Sequence, residues 1–318
     1  SQEEAKMASF TAADIKNLRE MTGVGMMDCK KALVESDGDM DKAVDWLREK
    51  GLAAAQKKAG RIAAEGMSYA AVIDGVGVVV EVNAESDFVA KNELFVEYVK
   101  GVASVVAKDA PADLDALMAC TFPGTDRTVK DEQNDKVLVI GENINVRRFA
   151  RFAEGMNVPY IHAGGKIGVL VNMEVSAGLE SKDEVVELGK DLAMQIAAMN
   201  PTYLDKSDVA PEVLDKEKEI LMIQAVEENK NAAKPKPEAI LEKMVMGRVG
   251  KYYEENCLLQ QAFVKENKIT VEKHVAEVAK QCGGTIKVLS FIRFVTGEGI
   301  EKRQDDLAAE VEKLVAGK

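Results

Sequence analysis

Histidine is nearly absent from this 318-residue sequence, which has two, His162 and His274. Neither lies beside cysteines or carboxylates at metal-ligand spacing, which argues against zinc. Cysteine is scarce too: Cys29, Cys120, Cys257 and Cys282 are far apart and form no CxxC pair. Neither a zinc ribbon nor a dense disulfide framework is indicated, and the thiols read as reduced. No run approaches the roughly 20 apolar residues that span a bilayer, and the N-terminus lacks the basic, apolar, small-residue succession of a signal peptide. A cytoplasmic protein is expected. Positive charge is in deficit, 42 Lys and Arg against 54 Asp and Glu, for a net charge of -12. Affinity for nucleic acid rests on cations that neutralise phosphates, so direct binding to nucleic acid or to an anionic membrane is disfavoured. The GxxxxGK[ST] phosphate loop and the GxSxG elbow are missing, and Gly23-Val24-Gly25 lacks the third glycine of a dinucleotide fingerprint. The acids are spread through helical stretches, where a solvated face is the ordinary reading. The expectation is a protein that is not an enzyme and has no cofactor.

What is present is a chain with 47% hydrophobic residues, enough for a sizeable core and for two or three domains. Residues 1–6 precede Met7, where a natural start is expected, and are set aside. Thr11 and Asp14 form a capping-box pattern before Ile15, Leu18 and Met21, which share one helical face ending at Gly23. A second helix is expected over residues 26–35, with Met27, Lys30, Lys31 and Val34 on helical spacing, then an Asp37-Gly38-Asp39 turn. A third is expected over residues 40–50, with Ala43, Val44 and Leu47 as its stripe and Gly51 as its C-cap. The Ala-rich, basic stretch 53–61 reads as a helical linker. The three helices resemble a ubiquitin-associated-type bundle over residues 7–60.

The body repeats itself. Glu65-Gly66-Met67 opens a hairpin through Tyr69, a Gly75-Val76-Gly77 turn and the run 78–82; Glu154-Gly155-Met156 opens another through Tyr160, a Gly164-Gly165 turn and the run 167–171. Helices follow at 92–107 and 182–199, and each unit closes on a further strand, 146–152 and 288–294. The expectation is an α+β protein with antiparallel strands: subdomain 1 over residues 61–153, and subdomain 2 over 154–300. Subdomain 2 is the longer, and its excess, about 208–256, reads as a helical hairpin carrying Val213, Ile220, Ile223 and Val226, a Pro-containing break, then Ile240, Leu241, Met244 and Val245. Such a hairpin packs on its own body or on another molecule. Residues 301–318 form a C-terminal module with an amphipathic helix at 305–315. One loop stands out, where Ser86-Asp87-Phe88-Val89 sets an acid beside an aromatic; by pattern alone Phe88 is a core residue and Ser86 or Asp87 the cap of the next helix.

The segment Met21-Thr22-Gly23-Val24-Gly25-Met26-Met27-Asp28-Cys29-Lys30-Lys31-Ala32-Leu33 resembles a signature of the elongation factor Ts family, and Ser86-Asp87-Phe88-Val89-Ala90-Lys91 resembles its exchange loop. Ile140-Gly141-Glu142-Asn143-Ile144-Asn145-Val146-Arg147-Arg148, Phe291-Ile292-Arg293-Phe294 and Gly297-Glu298-Gly299-Ile300-Glu301-Lys302 match in the same order, from about Met7 to the C-terminus. Ser86 departs from the threonine usual there, though either hydroxyl can cap a helix. The resemblance implies a guanine nucleotide exchange factor for elongation factor Tu. It gives Ser86, Asp87, Phe88 and Val89 the disturbance of that GTPase's magnesium site, and makes Arg19, Met26, Met27, Ile140, Gly141 and His162 further partner contacts. The metal is the partner's. The pattern leaves open a homodimer or 2:2 complex through the hairpin, a ubiquitin-associated binding module confined to residues 7–52, and an enzyme of another kind.

Overall fold

A computed structural model describes residues 9–302 together with 312, 315 and 316. The helix expected at 305–315 lies outside the described residues except at 312 and 315, and residues 1–6 lie outside them altogether. In chain order the elements are α1 (Ala12–Thr22), α2 (Met26–Glu35), α3 (Met40–Lys58), β1 (Glu65–Ile73) and β2 (Val76–Ala84). Next come α4 (Glu93–Asp109), α5 (Leu114–Ala119), α6 (Val129–Ile140), β3 (Asn145–Phe152), β4 (Met156–His162) and β5 (Ile167–Val175). The rest are α7 (Asp183–Met199), α8 (Pro211–Lys230), α9 (Glu238–Asn256), β6 (Ala262–Phe263), β7 (Glu266–Thr270), α10 (Val271–Gln281) and β8 (Ile286–Val295). The protein is α+β. No helix among the described residues is long and apolar enough to cross a membrane.

The expected capping box opens α1: the Asp14 N–H donates to the Thr11 hydroxyl, and the Thr11 N–H donates to the Asp14 carboxylate. With α2 and α3 it closes around Leu18, Cys29, Leu33, Ala43 and Leu47. Met21 is 53% exposed instead of lying on the buried stripe, and α2 buries Cys29, Ala32 and Leu33 rather than the row that begins at Met27. Gly51 is no cap. It sits inside α3, where a Cβ would come within 2.8 Å of Asp135 Oδ1, so its small size lets α3 lie close along α6. The stretch read as a linker continues that helix to Lys58.

Two three-stranded antiparallel sheets form the body, ordered β1-β2-β3 and β4-β5-β8. Asp74 and Gly75, both at positive φ, make the tight turn of the first hairpin; it lies one residue earlier than expected because Val76 already pairs with Ile73. The central strands match residue for residue, Val76-Gly77-Val78-Val79-Val80-Glu81 against Ile167-Gly168-Val169-Leu170-Val171-Asn172. Successive side chains point to opposite faces. Val78, Val80 and Val82 therefore pack beneath α4, and Val169, Val171 and Met173 beneath α7, while Val79 and Leu170 meet between the sheets with Ala70, Ile161, Ile292 and Phe294. With both faces covered, such strands read as nearly unbroken apolar runs.

Glu81 is fully buried at this junction. It accepts from the Gly297 N–H at 2.8 Å and from Asn83 Nδ2 at 2.8 Å, and it pairs with Arg147 at 3.1 Å and Arg148 at 2.5 Å. Burial by itself raises its pKa, but the hydrogen bonds from Gly297, Asn83 and Arg148 outweigh it and hold the carboxyl below its ordinary range. Helix α6 likewise buries Glu132 and Asp135, beside Arg127 and Lys136. These acids depart from the solvated-face reading because cations and N–H donors converge on them.

The hairpin α8–α9 closes on its own seam of Leu221, Met222, Ala225, Leu241, Met244 and Val245. The row Val213, Ile220, Ile223 and Val226 is left facing solvent.

Candidate functional site

Strand β2 ends on buried Ala84, and the chain returns to the core at Val89, which opens a 3-10 turn, Val89–Lys91. Asn92 then caps α4 by accepting from the Phe95 N–H at 3.2 Å, so neither Ser86 nor Asp87 is the cap. Between these anchors the loop projects. Asp87 is exposed and Phe88 is 81% exposed, the opposite of a core residue. Leaving it out forgoes the roughly 1.5–3 kcal/mol that burying such a side chain supplies.

Glu142 holds the loop at its base. One carboxylate oxygen accepts from the Glu85 and Ser86 N–H groups, both at 3.0 Å, and the other accepts from the Ser86 hydroxyl at 2.5 Å. Glu85 answers by accepting from the Asn143 N–H at 2.8 Å and pairing with Arg61 at 3.6 Å, while Asn143 Nδ2 donates to the Arg61 carbonyl at 2.8 Å. The Ser86 hydroxyl thus faces inward, whereas Asp87 and Phe88 face out.

The remaining candidates occupy three places. Ile140 and Gly141 are half-buried at the end of α6, where the Gly141 N–H donates to Val137 O at 2.9 Å, immediately before Glu142. The structure therefore brings them to the loop. Arg19, Met26 and Met27 are exposed on the N-terminal bundle, Met27 at 70%. That bundle rides on the same helix, through α3 and through Val139, which packs against the bundle core. His162 stands apart at the exposed end of β4, where its Nδ1 shares a 2.9 Å hydrogen bond with the Tyr160 hydroxyl.

Sequence reasoning missed Glu85, Glu142, Asn143 and Arg61. A glutamate directly after a helix-capping glycine was the available signal, but a loop acid reads as solvated. Chemically the loop offers a carboxylate and an aromatic ring on a braced backbone, suited to entering another surface. A separate groove of about 530 Å3 is lined by Leu204, Asp205, Ser207, Val275 and Val288 among others. The Ser207 hydroxyl there is spent on Asp205 at 2.5 Å, and this bond together with one from Gln260 keeps that carboxyl below its ordinary range.

Residues 85–298 match the family model described as Elongation factor TS. The protein named Elongation factor Ts from Syntrophotalea carbinolica is 52% identical over 307 residues, covering 96% of this chain and 99% of its own. Proteins of the same name from Magnetococcus marinus and Clostridium kluyveri are 48% and 47% identical, each covering 97% of this chain and 100% of its own.

Proposed function

The chain belongs to the elongation factor Ts family, and from that premise we propose that it is a guanine nucleotide exchange factor, which binds elongation factor Tu–GDP and promotes GDP release during translation elongation. The observation that carries the reading is the braced loop that exposes Asp87 and Phe88. A GTPase holds its nucleotide through backbone N–H groups, a lysine and a magnesium ion bound by hydroxyl and carboxylate oxygens. Phe88 entering the partner as a wedge, with Asp87 and Val89 shaping the loop, displaces the segments that hold this ion and the phosphates. A factor that binds the empty GTPase more tightly than the GDP-bound one weakens GDP by the same ratio. Seating Phe88 supplies roughly 1.5–3 kcal/mol, comparable with a typical coupling of about 1–3 kcal/mol. Arg19, Met26 and Met27 extend the contact across the bundle, methionine being flexible and polarisable enough for such a surface. Ile140 and Gly141 extend it beside the loop, and His162 contributes from the second subdomain. This chain breaks no bond, carries no metal or cofactor of its own, and acts in the cytoplasm. The exposed row on α8, Ile220 and Ile223 above all, is proposed as the contact for a homodimer or 2:2 complex.

The test is release of a fluorescent GDP analogue from elongation factor Tu, with excess unlabelled GDP, at several concentrations of this protein. Catalytic amounts are expected to accelerate release over many turnovers, and the acceleration is expected to shrink when magnesium is chelated beforehand. No acceleration would overturn the function; an acceleration indifferent to chelation would overturn the magnesium step.

A further inference from the structure

We propose that Glu142 is the positioning residue of the Asp87–Phe88 loop, and that the Ser86 hydroxyl serves this clamp instead of meeting a partner; the proposal rests on the exchange reading above. Phe88 is 81% exposed and has almost no packing of its own, so its direction is set by what fixes the backbone on either side. On one side Val89 is buried in the core of the first subdomain. On the other, Glu142 accepts from the Glu85 N–H, the Ser86 N–H and the Ser86 hydroxyl at 3.0, 3.0 and 2.5 Å, using both oxygens. Hydrogen bonds to an ionised acceptor are the stronger kind, and the return bond from the Asn143 N–H to Glu85 at 2.8 Å makes the grip mutual. Glu142 follows the last turn of α6, the helix that also carries the N-terminal bundle. One rigid element thus sets both the loop and the bundle's exposed methionines.

Without the clamp, the loop visits directions in which Phe88 cannot enter the partner. The apparent affinity then falls by the fraction of competent conformers, while the maximal rate, reached once Phe88 is seated, stays the same. Loss of the ring itself lowers the maximal rate.

Two measurements on Glu142→Ala, Glu142→Gln and Ser86→Ala test this. The first is amide hydrogen exchange of the free protein, which reads the clamp with no partner present. The Glu85 and Ser86 amides should be protected in wild type and exchange at least about tenfold faster in Glu142→Ala, with the Val79 and Val80 amides unchanged. Glu142→Gln keeps an acceptor oxygen for the two N–H groups and should retain most of the protection. The second is catalysed GDP release. Glu142→Ala should raise the half-saturating concentration roughly tenfold at an unchanged maximal rate. Glu142→Gln should restore it, and Ser86→Ala should add nothing on top of Glu142→Ala. Unchanged loop amides in Glu142→Ala would overturn the proposal, as would faster amides with unaltered half-saturation. If wild type itself fails to accelerate release, the exchange reading falls, and the amide rates still decide whether Glu142 holds the loop.

Discussion

The two copies of the strand, strand, helix unit share a scaffold and differ in the loop that precedes the helix. Four residues before the covering helices, which begin at Glu93 and Asp183, stand Val89 and Leu179, each 5% exposed and each in its subdomain's core. One residue earlier the first copy has Phe88 and the second has Gly178. Gly178, at φ 86°, turns the second loop back on itself. There the Ser176 N–H donates to Thr285 O at 3.0 Å, and the Thr285 N–H donates to Ser176 Oγ at 2.9 Å. In both copies the segment before the closing strand holds the loop, Thr285 in one and Glu142 in the other. Only the first holds it so as to leave a large aromatic in solvent. The scaffold does not impose that exposure, because the second copy is built without it. Exposure at Phe88 is therefore not something the shared scaffold requires.

If the comparison is right, the two loops should answer mutation differently. The largest effect belongs to the buried side: Leu179→Ala should cost about 2–5 kcal/mol in urea unfolding. A loss below about 1 kcal/mol would mean that the second loop is not anchored as the buried leucine implies.

A smaller effect separates the matched positions Glu81 and Asn172, which face the junction between the sheets. Glu81 is held below its ordinary carboxyl range in the folded chain, so its contribution is present above an unfolded value near 4.5 and is lost as pH falls through its lower folded value. Asp135 runs the other way. Burial outweighs Arg127 and raises it from 3.8 to about 6, so its contribution is greatest below 3.8 and is lost as pH rises through about 6. Unfolding free energies measured across pH should show Glu81→Gln losing less than wild type on acidification, and Asp135→Asn losing less as pH rises from 3.8 to about 6. Parallel pH profiles for wild type and both variants would contradict this.

Much of the fold was legible because it obeys apolar periodicity. The repeated hairpins, the α4 and α7 faces and the Thr11 capping box all follow from spacing alone. Helix α6 escaped notice because its buried face is Glu132, Gln133, Asn134, Asp135 and Lys136, polar residues that no apolar periodicity marks, buried beside tertiary partners such as Arg127 at Asp135 and the Val146 N–H at Gln133. Gly51 misled for a related reason: a glycine at a plausible helix end stops a helix or admits a neighbour, and only the presence of Asp135 tells which. The candidate site was half legible. Family motifs pointed to Asp87 and Phe88, while local pattern put Phe88 in the core, since an aromatic before a helix is usually buried. Glu142 was invisible in its role, because the clamp joins loops 56 and 57 residues apart.

The smallest expected change in stability accompanies the largest expected loss of function, and Phe88→Ala reads both. The measurement is its unfolding free energy beside its acceleration of GDP release from elongation factor Tu. Phe88→Ala should keep a stability within about 0.5 kcal/mol of wild type and leave release near the spontaneous rate. A loss of about 3–5 kcal/mol would return Phe88 to the core, and undiminished acceleration would show that another part of the molecule does the work.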